Sequence, residues 1–224
     1  LMRSSAASDV YKRQEFAGAK KDASLFVKEA AEHGDIVIGS FCQYAPMEII
    51  NAGGMHNVLL CGFNYDPPIP LAETELPANL CPLIKSSYGN ILGETCPFAF
   101  YSDLIVGETT CDGKKKAYEF FATQKNMYVM DIPNVHDEST LVTWKAEVKK
   151  LAAKIEEECG VKITPERLKA AIHAVNEKRR ALQRLAATRA ADPAPISGLD
   201  SLLTVQAAFM DDTPRLTGAI NDMA

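Results

Sequence analysis

Four short apolar runs, separated by segments with helical periodicity, constrain the fold of this chain more than any other feature. The runs are DIVIGSF (35–41), NVLLCGF (57–63), DLIVGETT (103–110) and NMYVMDI (126–132). Nearly continuous apolar strands that alternate with helices are typical of a parallel sheet covered on both faces. The pattern therefore predicts an α/β domain with a Rossmann-like or flavodoxin-like parallel sheet of about four strands and helices on both faces.

Helical patterns fill the gaps between these runs and continue beyond the last of them. Within the alternating region, the predicted helices are residues 46–55, a segment after Cys81, and residues 113–124. Beyond Pro133, the predicted helices are residues 137–160, residues 164–191, and a third that starts near Ser201. The second half of the chain is thus predicted to be a helical extension without another sheet.

The two ends of the chain set the predicted domain boundaries. Residues 1–14 begin without Met, lack apolar periodicity and resemble a translated sequencing adapter, so we expect a non-native leader there. We predict the α/β domain at residues 15–135 and the helical extension at residues 136–224. The final LTGAINDMA stops within an amphipathic pattern, which indicates a longer parent protein.

Charge and composition exclude two classes of partner. The chain has 224 residues, 47% of them hydrophobic, and a net charge of -5 with both signs interleaved, so we expect one sizeable core and no nucleic-acid binding. No apolar run reaches the roughly 18 residues of a membrane span, and no signal peptide is visible, so we expect a cytoplasmic protein. In that reducing compartment the six cysteines favour metal binding or catalysis over disulfides.

Four cysteines occupy positions where parallel α/β proteins bind ligands. Cys42 ends the first predicted strand and Cys111 follows the third, at the carboxyl edge of the predicted sheet. Cys81 and Cys96 each precede a proline suited to the first turn of a helix. A thiolate at a helix N-terminus has a lowered pKa, and soft thiolates favour iron–sulfur or zinc.

Buried core thiols are the alternative to metal ligands, because free cysteine often packs as a small hydrophobe. We expect this for Cys61, within an apolar run, and for Cys159, at a helix end. It remains open for Cys81, Cys96 and Cys111. The histidines are expected to be surface or core residues, since none lies beside the cysteine motifs: His33, His56, His136 and His173.

Three stretches carry a resemblance to a known family: GSFCQYAPMEIINAGG, CPLIKSSYG and CPFAFYSDLIVGETTCDGKKKAYEF. From about residue 16 onward the chain resembles the N-terminal half of the 2-hydroxyacyl-CoA dehydratase and benzoyl-CoA reductase family, and most closely its double-cubane-cluster branch. The resemblance implies two Rossmann-like domains with an iron–sulfur cluster, [4Fe–4S] or double-cubane [8Fe–9S], held between them. It also implies that the second α/β domain, with the remaining ligands, lies outside this chain.

The resemblance assigns roles to particular residues. It implies that the metal ligands are Cys81, Cys96 and Cys111 and that Cys42 faces the cluster. Further candidates for contacts with the cofactor are Ser87, Tyr88 and Gly113. The candidate catalytic residues are Lys85 and Ser86 as donors, and Glu108 and Asp112 for proton transfer. Solvated helix positions are the alternative for Lys85.

The implied function is that of an iron–sulfur reductive enzyme. It would accept a low-potential electron from an ATP-dependent [4Fe–4S] activator and use it for radical dehydration of a 2-hydroxyacyl-CoA or for reduction of small molecules. It would act as a homodimer or with a homologous subunit. Lys114, Lys115 and Lys116 begin a helix, where the dipole disfavours cations, which indicates an acidic partner or a CoA phosphate, or simply a solvated face. The alternative function is a non-catalytic α/β binding module with structural zinc or free cysteines.

Overall fold

The fold was determined as a computed structural model that describes residues 2–60, 68–135, 137–211 and 214–224. Its strands are β1 (Val37–Ser40), β2 (His56–Leu59), β3 (Leu104–Glu108) and β4 (Met127–Met130). Its helices are α1 (Met2–His33), α2 (Met47–Gly53), α3 (Pro68–Ala72), α4 (Pro82–Leu92), α5 (Pro97–Phe100), α6 (Asp112–Gln124), α7 (Glu138–Cys159), α8 (Pro165–Thr188), α9 (Gly198–Met210) and α10 (Pro214–Met223).

The four strands form one parallel sheet in the order β2-β1-β3-β4. Strand β1 lies in the middle, with Ile38 opposite Asn57 of β2 on one side and Leu104 of β3 on the other. The predicted four-stranded α/β fold is therefore confirmed. The last residues of the second predicted run, 61–63, lie outside the described residues.

One face of the sheet is covered by α2 and α7. Ile38 of β1 and Val106 of β3 pack there against Ile50 of α2 and against Leu151 and Ile155 of α7. Helix α7 begins at a reciprocal cap in which the backbone N–H of residue 140 donates to the side chain of residue 137, and the N–H of residue 137 donates to the side chain of residue 140. The first helix of the predicted extension thus belongs to the sheet's own core.

Helices α4 and α6 share an aromatic cluster with the end of β1. The ring of Tyr88 stacks on Phe121 of α6, with centroids 5.0 Å apart and planes at 9°. Phe41, just after β1, contacts Phe121 and Tyr118 at centroid distances of 5.5 and 5.7 Å. Aromatic pairs in stacked and tilted geometries contribute stability beyond that of burying their apolar area. This cluster therefore fixes α4 and α6 against the carboxyl end of β1.

The chain divides into two compact units. The sheet unit comprises Val27–Leu168, and the helical unit comprises the first 26 residues together with Lys169–Ala224. In the helical unit, Phe16 of α1 and Leu185 of α8 pack in one apolar core with Ile220 of α10. Most of residues 1–14 falls within the bounds of α1, and their non-native origin stays a prediction. No helix in the described part of the chain is both long and apolar enough to cross a bilayer.

Candidate functional site at the carboxyl edge of the sheet

Three cysteines stand directly before helices. Cys81 is the N-cap of α4, Cys96 of α5 and Cys111 of α6, and Pro82 and Pro97 occupy the first helical position after the first two. None of the three caps its helix with a side-chain hydrogen bond, and all three thiols are free. Cys81 is exposed, whereas Cys96 and Cys111 are half-buried. Cys81 and Cys96 thus stand at helix starts as predicted, and Cys111, predicted just after the third strand, also precedes a helix.

A close approach at Gly113 brings the N-termini of α4 and α6 together. A Cβ atom on Gly113 would lie 2.9 Å from Ile84 Cδ1 and 3.3 Å from Leu80 Cδ1, so the side chains of these two residues pack directly on the start of α6. The same position lies 3.9 Å from the Sγ atom of Cys111. Cys81, directly after Leu80, therefore belongs to the neighbourhood of Cys111.

Cys96 lies at the opposite end of α4 from Cys81. The backbone N–H of Thr95 donates to Asn90 O at 3.1 Å, and the Thr95 hydroxyl donates to Asn90 Oδ1 at 2.8 Å, which fixes the residue before Cys96 against the last turn of α4. At 1.5 Å rise per residue, about 13 Å of helix separates Cys81 from Asn90. Cys81 and Cys111 thus stand at helix starts that lie beside each other, whereas Cys96 follows the far end of α4.

The residues present fit a thiolate-bound metal group in chemical type but do not complete a site. Soft thiolate ligands suit iron–sulfur clusters and zinc, and the free thiols of Cys81 and Cys111 share one edge of the sheet. Within the described ranges, no group of three or more His, Cys, Asp or Glu side chains is placed to hold a metal ion. A metal centre at this edge therefore needs ligands from elsewhere.

A buried set of polar groups lies at the same edge, around Lys114. Its Nζ atom donates to Cys42 Sγ at 2.7 Å and to Glu108 Oε1 at 2.9 Å. The other carboxylate oxygen of Glu108 accepts from the backbone N–H of Thr110 at 2.8 Å. The Glu108 side chain is 1% exposed and that of Lys114 is 16% exposed. Lys114 therefore links the end of β1 to the end of β3.

Cys42 is held in an unusual backbone conformation. Its φ angle is 59°, in the left-handed region that residues other than glycine seldom adopt. Such strain persists where the surrounding contacts impose it, and it concentrates at functional sites. Here the contact with Lys114 fixes the Cys42 thiol at the carboxyl edge.

Electrostatics assign a charge state to each member of this set. Burial raises the pKa of the Cys42 thiol, and the hydrogen bond from Lys114 offsets this only in part. Burial alone would lower the pKa of Lys114, but its bonds to Cys42 and Glu108 leave the pKa above its ordinary value. Burial alone would raise the pKa of Glu108, but hydrogen bonds from Thr110 and Lys114 hold it below its ordinary value. At neutral pH the set is a thiol, an ammonium and a carboxylate.

Two of the predicted site residues on α4, Lys85 and Tyr88, make hydrogen bonds to other parts of the fold. Lys85 is buried, and its ammonium donates to Glu73 Oε1 at 2.5 Å and to Ala78 O at 2.6 Å, so the alternative of a solvated helix position is wrong. The Tyr88 hydroxyl donates to Glu75 Oε2 at 2.5 Å. These donors therefore hold α4 to the segment that precedes it.

The two remaining serines of that helix differ. Ser86 is completely buried. Ser87 donates to Leu83 O at 2.9 Å and lines a small cavity together with Cys42 and Lys114. Of the four predicted residues on α4, Ser87 is the one that adjoins the set around Lys114.

The lysines after Cys111 find partners within the chain. Lys115 Nζ lies 3.3 Å from Asp112 Oδ1, and Lys116 Nζ lies 2.5 Å from Glu119 Oε2. Asp112 is fully exposed in the first turn of α6. The apparent conflict with the helix dipole is therefore resolved by acidic neighbours on the same helix, since i,i+3 pairs of opposite charge stabilise helices.

The cysteines and histidines that were predicted to have no role in the site lie as follows. Cys159 packs at the edge of the apolar core, as expected. His56 Nε2 lies 3.6 Å from Asp35 Oδ2 in a partly exposed pair. Cys61 and His136 lie outside the described residues.

Sequence reasoning missed the roles of Lys114 and Tyr118. Tyr118 is 3% exposed and lines the same cavity as Lys114. The signal available in the sequence was spacing: Tyr118 follows Lys114 by four residues on α6 and therefore shares its face. The sequence alone does not show whether this face of α6 is buried or solvated, because that depends on where the sheet lies.

Comparisons with known proteins identify a family and a relative of this chain. Residues 42–224 match the family model of the 2-hydroxyglutaryl-CoA dehydratase D-component. The chain is also similar to "Putative dehydratase subunit YjiM" of Escherichia coli (strain K12), with 41% identity over 211 residues, covering 93% of the chain and 55% of the relative. It thus spans about half the length of the curated relative that it matches.

The sheet and the helices that begin at cysteines define an α/β protein with a parallel sheet and free thiols at helix starts. The family model covers most of the residues, so the chain belongs to the 2-hydroxyglutaryl-CoA dehydratase D-component family. The resemblance to the 2-hydroxyacyl-CoA dehydratase family is therefore confirmed.

Proposed function

We propose that this chain is part of an iron–sulfur enzyme that removes water from a 2-hydroxyacyl-CoA or, as in the double-cubane branch, reduces small molecules. The observation that carries the proposal is the family match together with two free helix-capping thiols, Cys81 and Cys111, at the carboxyl edge of a parallel sheet. Ligands of α/β proteins bind at this edge.

Cys81 and Cys111 would bind the cluster, [4Fe–4S] or double-cubane [8Fe–9S], together with thiolates of a second α/β domain. When bound, such a cluster supplies a low-potential electron and a Lewis-acidic iron. Cys96 is the third ligand that the resemblance implies, and its distance along α4 from Cys81 makes it the weaker candidate.

The remaining predicted residues take supporting roles in this proposal. Cys42 would face the cluster from the end of β1, held by Lys114, while Glu108 would keep Lys114 charged and in place. Asp112, exposed beside Cys111, would exchange protons with solvent or substrate. Gly113 keeps the two thiol-bearing helix ends close to each other.

The proposed partners are those that the family implies. The enzyme would receive its electron from an ATP-dependent [4Fe–4S] activator in the cytoplasm and would work as a homodimer or with a homologous subunit. An acyl-CoA is the proposed substrate, and no nucleic acid or membrane is involved.

Anaerobic reconstitution with iron and sulfide tests the ligand assignment. We expect the full-length parent protein to bind iron and acid-labile sulfide and to absorb visible light, and we expect Cys81→Ser and Cys111→Ser to lose most of both. Cys159→Ser is the matched control, because this thiol packs against the core and should not change iron content. Cys96→Ser tests whether Cys96 is a ligand. Loss of iron in this variant would support the ligand role that the resemblance implies, and unchanged iron content would support a position away from the cluster.

A non-catalytic module remains the second candidate, since no three-ligand site lies within the described ranges. Metal analysis separates the two. One zinc per chain without visible absorption, or no metal after careful reconstitution, would favour the module. Iron and sulfide together with ATP-dependent loss of water from a 2-hydroxyacyl-CoA, measured by mass spectrometry, would favour the enzyme.

A further inference from the structure

The contact between Lys114 and Cys42 is closer than an ordinary hydrogen bond to sulfur. Their Nζ and Sγ atoms lie 2.7 Å apart. N–H donors approach even oxygen acceptors no closer than about 2.7 Å, and sulfur is a larger atom than oxygen. The N and C atoms on either side of a Cα, joined through one atom, are about 2.5 Å apart, and bonds to sulfur are longer. Nζ and Sγ thus stand at the separation that one bridging atom would set.

The fold holds both side chains in this contact. Cys42 has its left-handed φ of 59° just after β1, and Lys114 is anchored to Glu108 Oε1 at 2.9 Å. The two partners are 72 positions apart in sequence, so the packing of α6 against the end of β1 sets their distance. The pair is therefore preorganised for a reaction between its own atoms.

A small oxidant has access to this pair. Cys42 is half-buried, the side chain of Lys114 is 16% exposed, and both residues line a cavity of about 40 Å³. One water needs about 10–15 Å³ by the same measure, so hydrogen peroxide, with two oxygen atoms, fits beside the thiol. Peroxides oxidise accessible cysteines to sulfenic acid, which condenses with a neighbouring thiol or nitrogen.

We propose that Cys42 and Lys114 form a covalent modification site, at which a peroxide inserts one oxygen atom between Sγ and Nζ. The first hydrogen peroxide converts the thiol to a sulfenic acid and leaves as one water. With the second, the sulfenic O–H bond and one N–H bond break, an O–N bond forms, and two waters leave. In sum, a thiol, an ammonium and two peroxides give one S–O–N bridge, three waters and one proton. Sulfur and nitrogen together lose four electrons, and each peroxide takes up two.

Glu108 is in place to receive the released proton. Its carboxylate accepts from Lys114, and its side chain is only 1% exposed. Once Lys114 is part of the bridge it carries no charge, so an ionised Glu108 would be an unpaired buried charge, which is costly. Protonation removes that charge, and the ion pair is replaced by two neutral groups.

Peptide mass spectrometry tests the site on the metal-free 224-residue chain. After treatment with hydrogen peroxide and digestion, we expect the peptides that contain Cys42 and Lys114 to be joined. Their combined mass should be increased by one oxygen and decreased by two hydrogens, and dithiothreitol should restore both separate peptides and release the oxygen as water. Recovery of Cys42 only as a thiol, a sulfinic acid or a disulfide overturns the proposal, and so does a link from Lys114 to another cysteine.

Two variants separate this bridge from general oxidation. Lys114→Arg keeps a positive charge beside Glu108 but has no amine, so the linked peptides should be lost completely. Lys115→Met is the matched control, because Lys115 pairs with Asp112 at 3.3 Å, and it should leave the yield of linked peptides unchanged. A link that persists in Lys114→Arg, or that disappears in Lys115→Met, contradicts the assignment.

Crystallography of the oxidised, unsubstituted chain decides the matter even where Lys114→Arg does not fold. Continuous electron density from Cys42 Sγ through one atom to Lys114 Nζ, absent after reduction with dithiothreitol, is the expected result. Separate side chains without density between them in the oxidised crystal would overturn the proposal.

Discussion

Replacing Lys114 by Met tests the buried charge arrangement at the carboxyl edge. The substitution keeps most of the side-chain volume but removes the ammonium that lies 2.9 Å from Glu108 Oε1. Because the Glu108 side chain is only 1% exposed, water cannot replace the lost partner without opening the core. Removing one member of a buried ion pair generally costs about 3–5 kcal/mol.

Protonation of Glu108 sets an upper limit on this cost. An ordinary glutamate has a pKa of about 4.3 and each pKa unit is worth about 1.4 kcal/mol, so protonation costs about 4 kcal/mol at pH 7 and about 1 kcal/mol at pH 5. In the intact protein the pKa of Glu108 is lowered, and the stability it provides is lost as pH falls. Without Lys114, burial raises this pKa above the unfolded value, so the destabilisation is largest at high pH.

We therefore expect Lys114→Met to lower the free energy of unfolding by about 2–4 kcal/mol at pH 7 and by at most about 1 kcal/mol at pH 5. Urea unfolding followed by circular dichroism at the two pH values measures both differences. Lys115→Met is the matched control, since Lys115 is 41% exposed and pairs with a fully exposed Asp112, and it should change stability by less than about 0.5 kcal/mol. Equal losses for the two variants, or a loss independent of pH, would refute the reasoning.

Three further outcomes follow from packing and exposure. Gly89→Ala should destabilise by about 1–3 kcal/mol despite its better helix propensity, because the new Cβ would clash with the backbone oxygen of Pro68. Gly218→Ala, in open space, should stabilise by up to about 1 kcal/mol, and thermal unfolding shows the sign of both changes. Phe121→Ala should cost about 3–5 kcal/mol in urea unfolding, and a loss below about 1 kcal/mol would contradict its place in the aromatic cluster. In the metal-free chain, Cys81 should be alkylated by iodoacetamide before the half-buried thiols, as peptide mass spectrometry would reveal.

The strands and helix starts were predictable because their signals are local. Ile38 and Val106 lie in short β-branched runs whose apolar character indicates burial on both faces of a sheet. Pro82 and Pro97 mark first helical positions, since proline lacks the N–H that a first turn leaves unpaired. The secondary structure at each of these positions depends on its neighbours in sequence, so the amino-acid sequence alone was enough to predict it.

The partners of the buried charges were not predictable, because they depend on contacts between distant segments. Lys85 looks like a solvated helix residue until the segment between α3 and α4 supplies the Glu73 carboxylate and Ala78 O. Lys114 looks like one of three surface lysines, yet it reaches Cys42, 72 positions earlier in the chain. Periodicity gives the face of a helix on which a residue lies, but not which groups another element presents to that face.

Helix α4 determines which thiols can act together. Cys81 lies at its start, close to Cys111 because Gly113 leaves room for Ile84, whereas Cys96 follows its end. Equal sequence spacing of the three cysteines therefore corresponds to unequal distances in space, since the first interval is occupied by 11 helical residues and the second by a short helix and β3. Under the proposed function, a cluster at the carboxyl edge would accordingly draw two thiolates from these three cysteines, and its other ligands would come from Cys42 or from another polypeptide segment.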